Sequence, residues 1–516
     1  MKAKTFTFFI VICFFGFAAQ AVVWPTKVVK VEPDQGTSIG ALQAAITANG
    51  SAIYELKRGG IYLTNGQYTI PSTAGTLVFR AEAGTGPRPV IMGGVPTSGY
   101  PSGDNVIRIN GNFKCENIYF TGEDMNGVIH KNTLRIQTGT WFEFNGCMFD
   151  KDNAASIRNG VGNCTYIFKN CTFRNQIDYA SLSNGRAWDA REAFKDITLI
   201  MKNCTFYNMT SRIIRPSTSD FDSIVFVNNT CYNIWEALVL GFARNAIVTN
   251  NIFYNCGLAG GASATSSIID LDSIGTAVDA TRTFDFRNNL FYTDKAYLDV
   301  MVSPADTFRY IRGLLNEDAR AFLKNKQVIM TDSIKNQAIT FNNPPPLIIG
   351  FVKNMWLIKW KSGFTPTAEQ RMEAMEDPLN YGDVVAPKVQ YSFGYPTTHM
   401  AYTAGLKGDI LGDKKWFGLA TAIESLTLPE ALDVKSWFNP GTQTLNFTFK
   451  SSEIASFTLR LYGLDGRIHV SRTVYNYGQT NSQIRLQNLT GGLYIYDIES
   501  TSFKGIKNRA RGKVIM

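Results

Sequence analysis

The sequence is poor in histidine and, after residue 21, has no long apolar run. Its 516 residues include three histidines, His130, His399 and His469. A membrane-spanning helix needs roughly 20 consecutive apolar residues, and no stretch beyond residue 21 approaches that length. The sequence therefore predicts no transmembrane segment, and any mechanism that depends on histidine has three candidates.

The first 21 residues have the three parts of a secretory signal peptide. Lys2 and Lys4 precede an apolar run from Phe6 to Ala19, which ends in Ala-Gln-Ala at residues 19–21. We therefore expect cleavage before Val22. The mature protein is predicted to be exported and to be either soluble or attached to a surface.

The net charge of +9 is unevenly distributed. The signal peptide carries two positive charges, and residues 436–516 contain ten Lys or Arg against four Asp or Glu. About one unit of positive charge remains for residues 22–435. A strongly basic protein often has an acidic partner, but this distribution does not predict a nucleic-acid-binding protein.

A short pattern recurs between residues 112 and 291, with an aromatic anchor and, three residues earlier, an asparagine. Its seven copies end at Phe120, Phe149, Phe173, Phe206, Cys231, Phe253 and Phe291. The anchors are 29, 24, 33, 25, 22 and 38 residues apart. A repeat of constant core and variable loops is typical of a solenoid.

Each turn of this solenoid reads as short strands separated by a bend. The residues seven and five before most anchors are large and apolar, an alternation typical of strands. The residue three before is Asn in six copies and Gly in the other, and both readily adopt a left-handed backbone. The pattern predicts an all-β fold, a right-handed single-stranded parallel β-helix. A sandwich or a propeller is the alternative, although a propeller blade needs roughly 40 residues per repeat.

Seven cysteines remain after the signal peptide, so they cannot all pair within the chain. An exported protein usually forms disulfides. However, four of the seven occupy strand positions that the repeat assigns to the interior: Cys147, Cys171, Cys204 and Cys231. We expect buried thiols that act as small apolar residues, with disulfides as the alternative.

Residues 22–110 are predicted to form an N-terminal cap and the first turns, and residues 111–300 the β-helix core. A short helix at 40–46 precedes Ile53-Tyr-Glu-Leu56 and a Gly-Gln-Tyr at 66–68. This order, followed by the Asn/Phe repeat, resembles the pectate-lyase superfamily. It is most similar to members from bacterial glycan-utilisation systems without an assigned activity, and distantly similar to chondroitinase B-like and alginate lyases.

The repeat fades after residue 300, and residues 301–435 are predicted to be the last turns and a C-terminal cap. Ala305 to Leu323 is a candidate helix, and Thr365-Pro366 is a helix start before residues 368–375. Residues 408–416 resemble a Gly-Asp-x-x-Trp ending found in the same superfamily.

Residues 436–516 are predicted to be a separate small β-sandwich. Short strand sequences with turn signals between them occur at residues 461–467, 484–489, 491–498 and 513–515. In order and spacing they are similar to the C-terminal sorting domain of the type IX secretion system. That resemblance implies a partner in the secretion machinery, export through the periplasm, and a final location that is either secreted or at the outer-membrane surface. An immunoglobulin-like accessory module is the alternative.

A site must lie on an outer face, because side chains fill the interior of a β-helix. A long insertion after Phe173 carries Asp178, Arg186, Trp188, Asp189, Arg191 and Glu192. A Trp among charged groups suits a sugar, so Arg186, Trp188 and Arg191 are predicted substrate-binding residues. Asp270 is the fourth, because Ile269-Asp270 aligns with Val239-Leu240, Ile157-Arg158 and Ile214-Arg215, with the first residue inward and the second outward. A solvated loop held by its Trp is the alternative.

Three arginines are the candidate catalytic residues. Arg158 and Arg215 follow apolar residues in strands after the anchors, and Arg212 lies near Arg215. Stacked arginines can hold uronate carboxylates, and a lyase needs this neutralisation before a base removes the neighbouring proton. Asp189 and Glu192 are the candidate ligands for calcium. Surface arginines that only improve solubility are the alternative.

The sequence departs from the lyases that it resembles. Chondroitinase B-like lyases carry calcium-binding glutamates and a basic pair, but residues 211–217 and 238–242 lack the glutamates and the second basic cluster. Hydrolysis of the polygalacturonase type needs paired aspartates with a histidine, and none of the three histidines is placed in such a setting by sequence. Two hypotheses remain. The first is a polysaccharide lyase, with a hydrolase as its variant, acting on an acidic, uronic-acid glycan, and the second is a non-catalytic glycan-binding protein or adhesin.

Overall fold

A computed structural model describes a large part of the chain. The described residues are 22–35, 38–94, 105–178, 184–190, 192–236, 238–259, 268–271, 282–301, 315, 328–329, 337–360, 391–419, 434–439, 443–449, 454–462, 468–475, 481–486, 493–502 and 507–515. The signal peptide, the helix predicted at 365–375 and, apart from Leu315, the helix predicted at 305–323 lie outside them. Leu315 itself forms a parallel β-bridge with Ile269. The chain divides at residues 420 and 421 into two compact units.

The first unit contains 28 strands and three α-helices within the described residues. The strands of its first half are β1 Val28–Val31, β2 Ile53–Leu56, β3 Ile61–Asn65, β4 Tyr68–Thr69, β5 Leu77–Ala81, β6 Val90–Gly94, β7 Asn105–Asn110, β8 Phe113–Glu116, β9 Tyr119–Asp124, β10 Asn132–Thr138, β11 Trp141–Asn145, β12 Met148–Asp150, β13 Ala155–Asn159, β14 Cys164–Lys169 and β15 Thr172–Gln176.

The remaining strands of this unit follow in the same repeating order. They are β16 Arg186–Ala190, β17 Ile197–Lys202, β18 Thr205–Met209, β19 Ile214–Arg215, β20 Phe221–Val227, β21 Thr230–Ile234, β22 Leu238–Gly241, β23 Asn245–Thr249, β24 Ile252–Cys256, β25 Ile269–Leu271, β26 Thr283–Asp285, β27 Leu290–Tyr292 and β28 Val328–Ile329. The helices are α1 Ala41–Asn49, α2 Lys295–Val300 and α3 Ile349–Trp360.

These strands stack into long parallel sheets, so the predicted parallel β-helix is confirmed. Sheet A has eleven strands from β1 to β28, sheet B has nine from β3 to β27, and sheet C has six, in the order β4, β7, β10, β13, β16 and β19. Strands β22 and β25 form a separate parallel pair. Equivalent residues of successive turns are therefore about 4.8 Å apart.

The aromatic anchors stack inside the helix as the repeat predicts. Phe149 is in register with Phe120 and Phe173, at ring-centroid distances of 5.3 and 4.7 Å. The residue three before each anchor has a positive φ, between 51° at Asn203 and 65° at Gly146. All seven described cysteines are buried and free. The expectations of left-handed bends and buried thiols are confirmed.

A second ladder of left-handed asparagines lies two residues after the anchors, at the corner where sheet B leads to sheet C. Asn175, Asn208, Asn233 and Asn255 each have a φ of 54°. Their side chains form a chain of amide hydrogen bonds, with N–O distances between 3.2 and 3.5 Å. Asn tolerates this conformation better than other residues with a Cβ, and the amide hydrogen bonds between these asparagines hold successive turns in register.

Residues 391–417, the covering segment, lie on the outer face of sheet B. Phe393 packs against Tyr207 and Tyr232, two tyrosines that project outward from that sheet. Lys415 Nζ, near the end of the segment, donates to Thr172 Oγ1 at 2.9 Å. The later turns of sheet B are therefore covered by the protein's own chain.

The second unit is built from two antiparallel sheets around one core. Its strands are β29 Val434–Asn439, β30 Thr444–Phe449, β31 Ile454–Tyr462, β32 Ile468–Tyr475, β33 Asn481–Arg485, β34 Leu493–Ser502 and β35 Lys507–Ile515. Strands β29, β30 and β33 form one sheet, and the other four strands form the second. Phe447, Leu459, Ile484 and Tyr496 meet in the shared core.

Candidate functional site

The outer face of sheet C carries a column of arginines, which we call the arginine ladder. Arg108, Arg135 and Arg158 lie on three consecutive turns, in register on β7, β10 and β13. The next two turns place Asp189 and Arg215 in the same column. These five side chains point outward because side chains alternate along a strand, and each of them follows a buried residue that points inward.

The arginines of the ladder repel one another, because like charges on adjacent strands are unfavourable. Arg158 is partly compensated by Glu192, at 3.9 Å between Nη2 and Oε1. Arg215 Nε lies 3.8 Å from Asp189 Oδ1. Among the described residues, Arg135 makes no ion pair with a carboxylate. The ladder therefore has a local excess of positive charge that a bound anion would neutralise.

Asp189 interrupts the ladder and is itself held by a buried arginine. Arg186 Nη1 donates to Asp189 Oδ2 at 3.2 Å, and Arg186 Nη2 donates to Asn184 Oδ1 at 2.8 Å. Burial lowers the pKa of Arg186 to about 10. The side chains of Arg186 and Asp189 are 2% and 3% exposed, so this ion pair lies beneath the surface that the arginine ladder forms.

Arg212 and Glu236 flank the end of the ladder. Arg212 Nε donates to Glu236 Oε2 at 2.5 Å, and Ser211 Oγ donates to the same oxygen at 3.2 Å. The side chains of Arg212 and Arg215 are 29% and 30% exposed. Both guanidinium groups are therefore accessible to a ligand.

Of the predicted substrate-binding residues, Arg186 is buried against Asp189, and Trp188 and Asp270 are not placed to bind a sugar either. Trp188 lies inside the β-helix with no solvent exposure, between Tyr166 and Phe221. Because β16 places Trp188 inward and Asp189 outward, the indole face is not available to a sugar. Asp270 is exposed but pairs with Val239 on the separate two-stranded sheet. Arg191 lies outside the described residues.

The column that contains Asp270 also differs from the sequence alignment. The sequence suggests that Val239 aligns with Ile269, whereas the structure pairs Leu238 with Ile269. Val239 follows its anchor, Cys231, by eight residues, whereas the arginines of β13 and β19 follow theirs by nine, so this turn is one residue shorter before its outward position. The aligned outward residue is consequently Val239, which has no charge.

Asp189 and Glu192, the candidate calcium ligands, do not fit a calcium ion. Asp189 lies between Arg186 and Arg215, and Glu192 is directed toward Arg158. Calcium binds where several oxygen ligands converge, whereas the groups that surround these two carboxylates are positively charged guanidinium groups. Within the described ranges, no three His, Cys, Asp or Glu side chains converge as a metal site would require.

Sequence reasoning missed Arg108 and Arg135. The available signal was the arrangement apolar, Arg, apolar in Ile107-Arg-Ile109 and Leu134-Arg-Ile136, which alternation assigns to a strand with an outward arginine. Counting from the aromatic anchors did not reach them, because Arg108 precedes the first anchor and a long loop separates Arg135 from Phe120.

It also missed a buried group of ionisable residues at the corner between sheets B and C, which we call the corner cluster: Glu123, Asp124, His130, Lys151 and Asp152. Lys151 Nζ lies 2.5 Å from Glu123 Oε2, and His130 Nε2 lies 3.4 Å from Asp124 Oδ2. Burial raises the pKa of Asp152 to about 7. His130 therefore lies beside one acidic residue, Asp124, a contact that the sequence did not indicate.

The comparisons with known proteins identify the second unit. Residues 436–509 match the family model of the secretion system C-terminal sorting domain. The predicted sorting domain is confirmed, and it indicates a secreted or cell-surface protein that interacts with the secretion machinery. No curated protein and no solved structure matches the chain. None of the helices in the described residues is both long and apolar enough to cross a membrane.

Proposed function

We propose that this secreted or cell-surface protein binds an acidic polysaccharide along the arginine ladder. The observation that carries the proposal is the register of Arg108, Arg135 and Arg158 on three consecutive turns, with Arg215 two turns further. A polymer lying parallel to the axis of the β-helix would meet one guanidinium group at each of the first three turns.

The chemistry of the ladder suits carboxylate or sulfate groups. A guanidinium group offers paired donors that match either anion, and it remains charged at any physiological pH. Asp189, in the fourth turn, is 3% exposed and pairs with Arg186, so the polymer would contact the arginines rather than this carboxylate. An acidic glycan carries such anionic groups along its length.

The proposal is tested by measuring binding to polygalacturonate, alginate, chondroitin sulfate and the neutral polymer dextran. Wild-type protein should bind at least one acidic polymer, with an affinity that decreases as salt is added, and should not bind dextran. The double variant Arg135→Gln/Arg158→Gln should bind the same polymer at least about 10-fold more weakly, since each charged hydrogen bond contributes about 1.5–3 kcal/mol.

Arg244→Gln is the matched control. Arg244 is also a surface arginine, but it directly precedes β23 of sheet A, is not part of the arginine ladder, and pairs with Asp196 and Asp220. Its loss should leave binding unchanged. Equal binding by the double variant and the wild type would remove the ladder from consideration.

The more specific assignment, a polysaccharide lyase, stays a prediction. A lyase holds cations against the uronate carboxylate to acidify the neighbouring proton, and Arg212 and Arg215 are accessible for that role. Wild-type protein would then release unsaturated products from the polymer that it binds, and Arg215→Ala would release none. Binding without any product would support the non-catalytic alternative.

A further inference from the structure

The corner cluster contains a buried lysine amine in contact with a buried carboxylate. Lys151 Nζ lies 2.5 Å from Glu123 Oε2, and the two side chains are 5% and 6% exposed. Glu123 lies on β9, and Lys151 directly follows β12, the strand that pairs with β9 in the next turn. An amine and a carboxyl group are the two reactants of an amide bond. Such a bond here would join two consecutive turns of the β-helix.

The backbone of Lys151 is unusual for a lysine. In strand register Lys151 takes the place of Asn175, Asn208 and Asn233 in the later turns, and it has the same left-handed backbone, with a φ of 56°. Lysine is less suited to this conformation than asparagine. Strained residues persist where the surrounding structure holds them, and they are concentrated at functional sites. The ladder of asparagines therefore ends at the turn where the side chain contacts a carboxylate instead.

Gly122 allows the two turns to approach closely at this point. A Cβ atom added to Gly122 would lie 2.5 Å from Lys151 O and 2.7 Å from Asp152 Oδ1, which is closer than a side chain tolerates. Glycine permits this approach because it has no Cβ. The backbone of Lys151 is therefore held against the residue that precedes Glu123.

A hairpin at residues 123–130 fixes the other side of the contact. Glu123 and Ile129 are bridged in antiparallel fashion, and His130 N donates to Gly122 O at 2.8 Å. Inside the hairpin, Asp124 Oδ1 accepts from Val128 N at 3.0 Å. The amine and the carboxylate are thus both presented from hydrogen-bonded backbone.

This setting favours condensation of the two groups. In water an amine and a carboxylate meet only transiently, and each is stabilised by its own hydration. Reactive groups that are held in contact reach effective molarities of about 10⁵–10⁸ M. Burial also removes the hydration of both charges, which makes a buried ion pair less stable relative to uncharged products. Fixed contact and exclusion of water therefore act in the same direction at Lys151 and Glu123.

We propose that Lys151 and Glu123 condense to form an intramolecular isopeptide bond. The step starts from the ordinary charged forms, an ammonium group and a carboxylate. Lys151 Nζ forms a bond to Glu123 Cδ, and the bond from Cδ to one carboxylate oxygen breaks. That oxygen keeps the electron pair and leaves as one water molecule with two of the three ammonium protons. The product is an uncharged amide, and no other reactant is consumed.

The bond would stabilise an exported protein that lacks disulfides in its described part. Small exported proteins usually gain covalent stability from disulfides, whereas all seven described cysteines are free. A link between residues 28 positions apart restricts the unfolded chain as a disulfide would. This inference is independent of glycan binding by the arginine ladder.

The first measurement is the mass of the full mature chain, which is folded, then reduced and denatured. Wild-type protein should be lighter than its sequence by one water molecule. Lys151→Arg is the matched variant, because arginine keeps a positive charge beside Glu123 while its guanidinium group stays protonated and does not attack a carboxylate. This variant should have the full mass of its sequence.

Digestion with trypsin locates the bond. Without it, trypsin releases residues 115–131 and 136–151 as two linear peptides. With it, trypsin does not cleave after Lys151, and one branched peptide joins residues 115–131 to residues 136–158. Fragmentation of this peptide should place the link between Glu123 and Lys151.

Lys295 and Asp299 provide a control within the same digest. Lys295 Nζ lies 2.5 Å from Asp299 Oδ1, the same separation, but these side chains are 81% and 59% exposed. Because both groups are hydrated, this pair should stay ionic. Trypsin should therefore cleave after Lys295 and release residues 288–295 as a linear peptide.

Each outcome decides the proposal. Wild-type protein with its full sequence mass and with linear peptides 115–131 and 136–151 would overturn it and leave an ionic contact only. Loss of water that maps to any other pair of residues would overturn it as well. If Lys151→Arg does not fold, the wild-type digest with Lys295 as its control gives the answer alone.

Discussion

Sheets B and C have similar interiors, and their outer faces differ. Outside sheet B, the column Tyr207, Tyr232 and Tyr254 packs against the covering segment. Outside sheet C, the corresponding column is made of arginines that the described chain leaves partly exposed. The outward residues are aromatic on the face that the covering segment packs against, and they are mostly arginines on the face that stays partly exposed. The outward residue of each turn therefore distinguishes a structural face from a candidate binding face.

Removal of a large side chain from the covered face should have the largest effect. Phe393→Ala would lose ring contacts to Tyr232, Phe341 and Trp416 and should lower the free energy of unfolding of the first unit by about 3–5 kcal/mol. Chemical denaturation would measure it. Met400→Ala, at a 41% exposed position of the same segment, should change stability little, and an equal loss in both variants would contradict this account.

The corner between the two sheets should respond strongly to pH through Asp152. Its pKa is raised by burial from 3.8 to about 7, so the stability that its neutral form contributes is complete below about pH 4 and is lost as the pH rises to about 7. Relative to Asp152→Asn, which does not titrate, the wild type should lose up to about 4 kcal/mol across this range. The free energy of unfolding of both proteins would be measured as a function of pH, and the same pH dependence in the two proteins would refute this prediction.

The asparagine ladder at the same corner should show an intermediate effect. Asn208→Ala places alanine, which tolerates a left-handed backbone less well than asparagine, at a φ of 54°. It also removes amide hydrogen bonds to Asn175 and Asn233, and together these changes should lower the free energy of unfolding by about 2–3 kcal/mol. Asn208→Gly keeps the backbone permissible and should cost about 1 kcal/mol less. If both variants have the same melting temperature, the backbone conformation is not what the asparagine contributes.

The smallest effect is expected on the open face. Arg135→Gln removes one member of a repelling column and should raise the free energy of unfolding by about 0.5 kcal/mol at low salt, with no difference at high salt. Arg244→Gln, which loses ion pairs to Asp196 and Asp220, should not be stabilising. A loss of stability in Arg135→Gln would mean that the ladder already has a compensating partner.

The turns of the β-helix were predictable because the aromatic anchors and the bends before them recur in every copy. The binding face was less predictable, because its distance from the anchor varies. Arg158 and Arg215 each follow an anchor by nine residues, whereas Arg135 follows Phe120 by 15 residues. Loops of different length insert between sheets B and C, and only the hydrogen-bonded register shows which outward residues share a column.

Trp188 illustrates the second limit of the sequence. Its charged neighbours favour a surface loop, but residues 186–190 form a strand of sheet C. In a strand the two-residue period decides which side chain enters the core, and here it selects the indole. The corner cluster could not be predicted from the sequence for a related reason. Glu123 and Lys151 are 28 residues apart and come into contact only because one turn stacks on the next.

The covering segment runs back along turns that precede it in the chain. Ala404 O accepts from Asn288, Leu406 N donates to Asn250, and Asp413 accepts from Thr205. The turns can stack in order of synthesis through contacts between neighbours, but this outer layer joins residues up to 244 positions apart. Contacts of such long sequence separation form slowly, so sheet B should stay exposed to proteases until the first unit has been synthesised almost to its end.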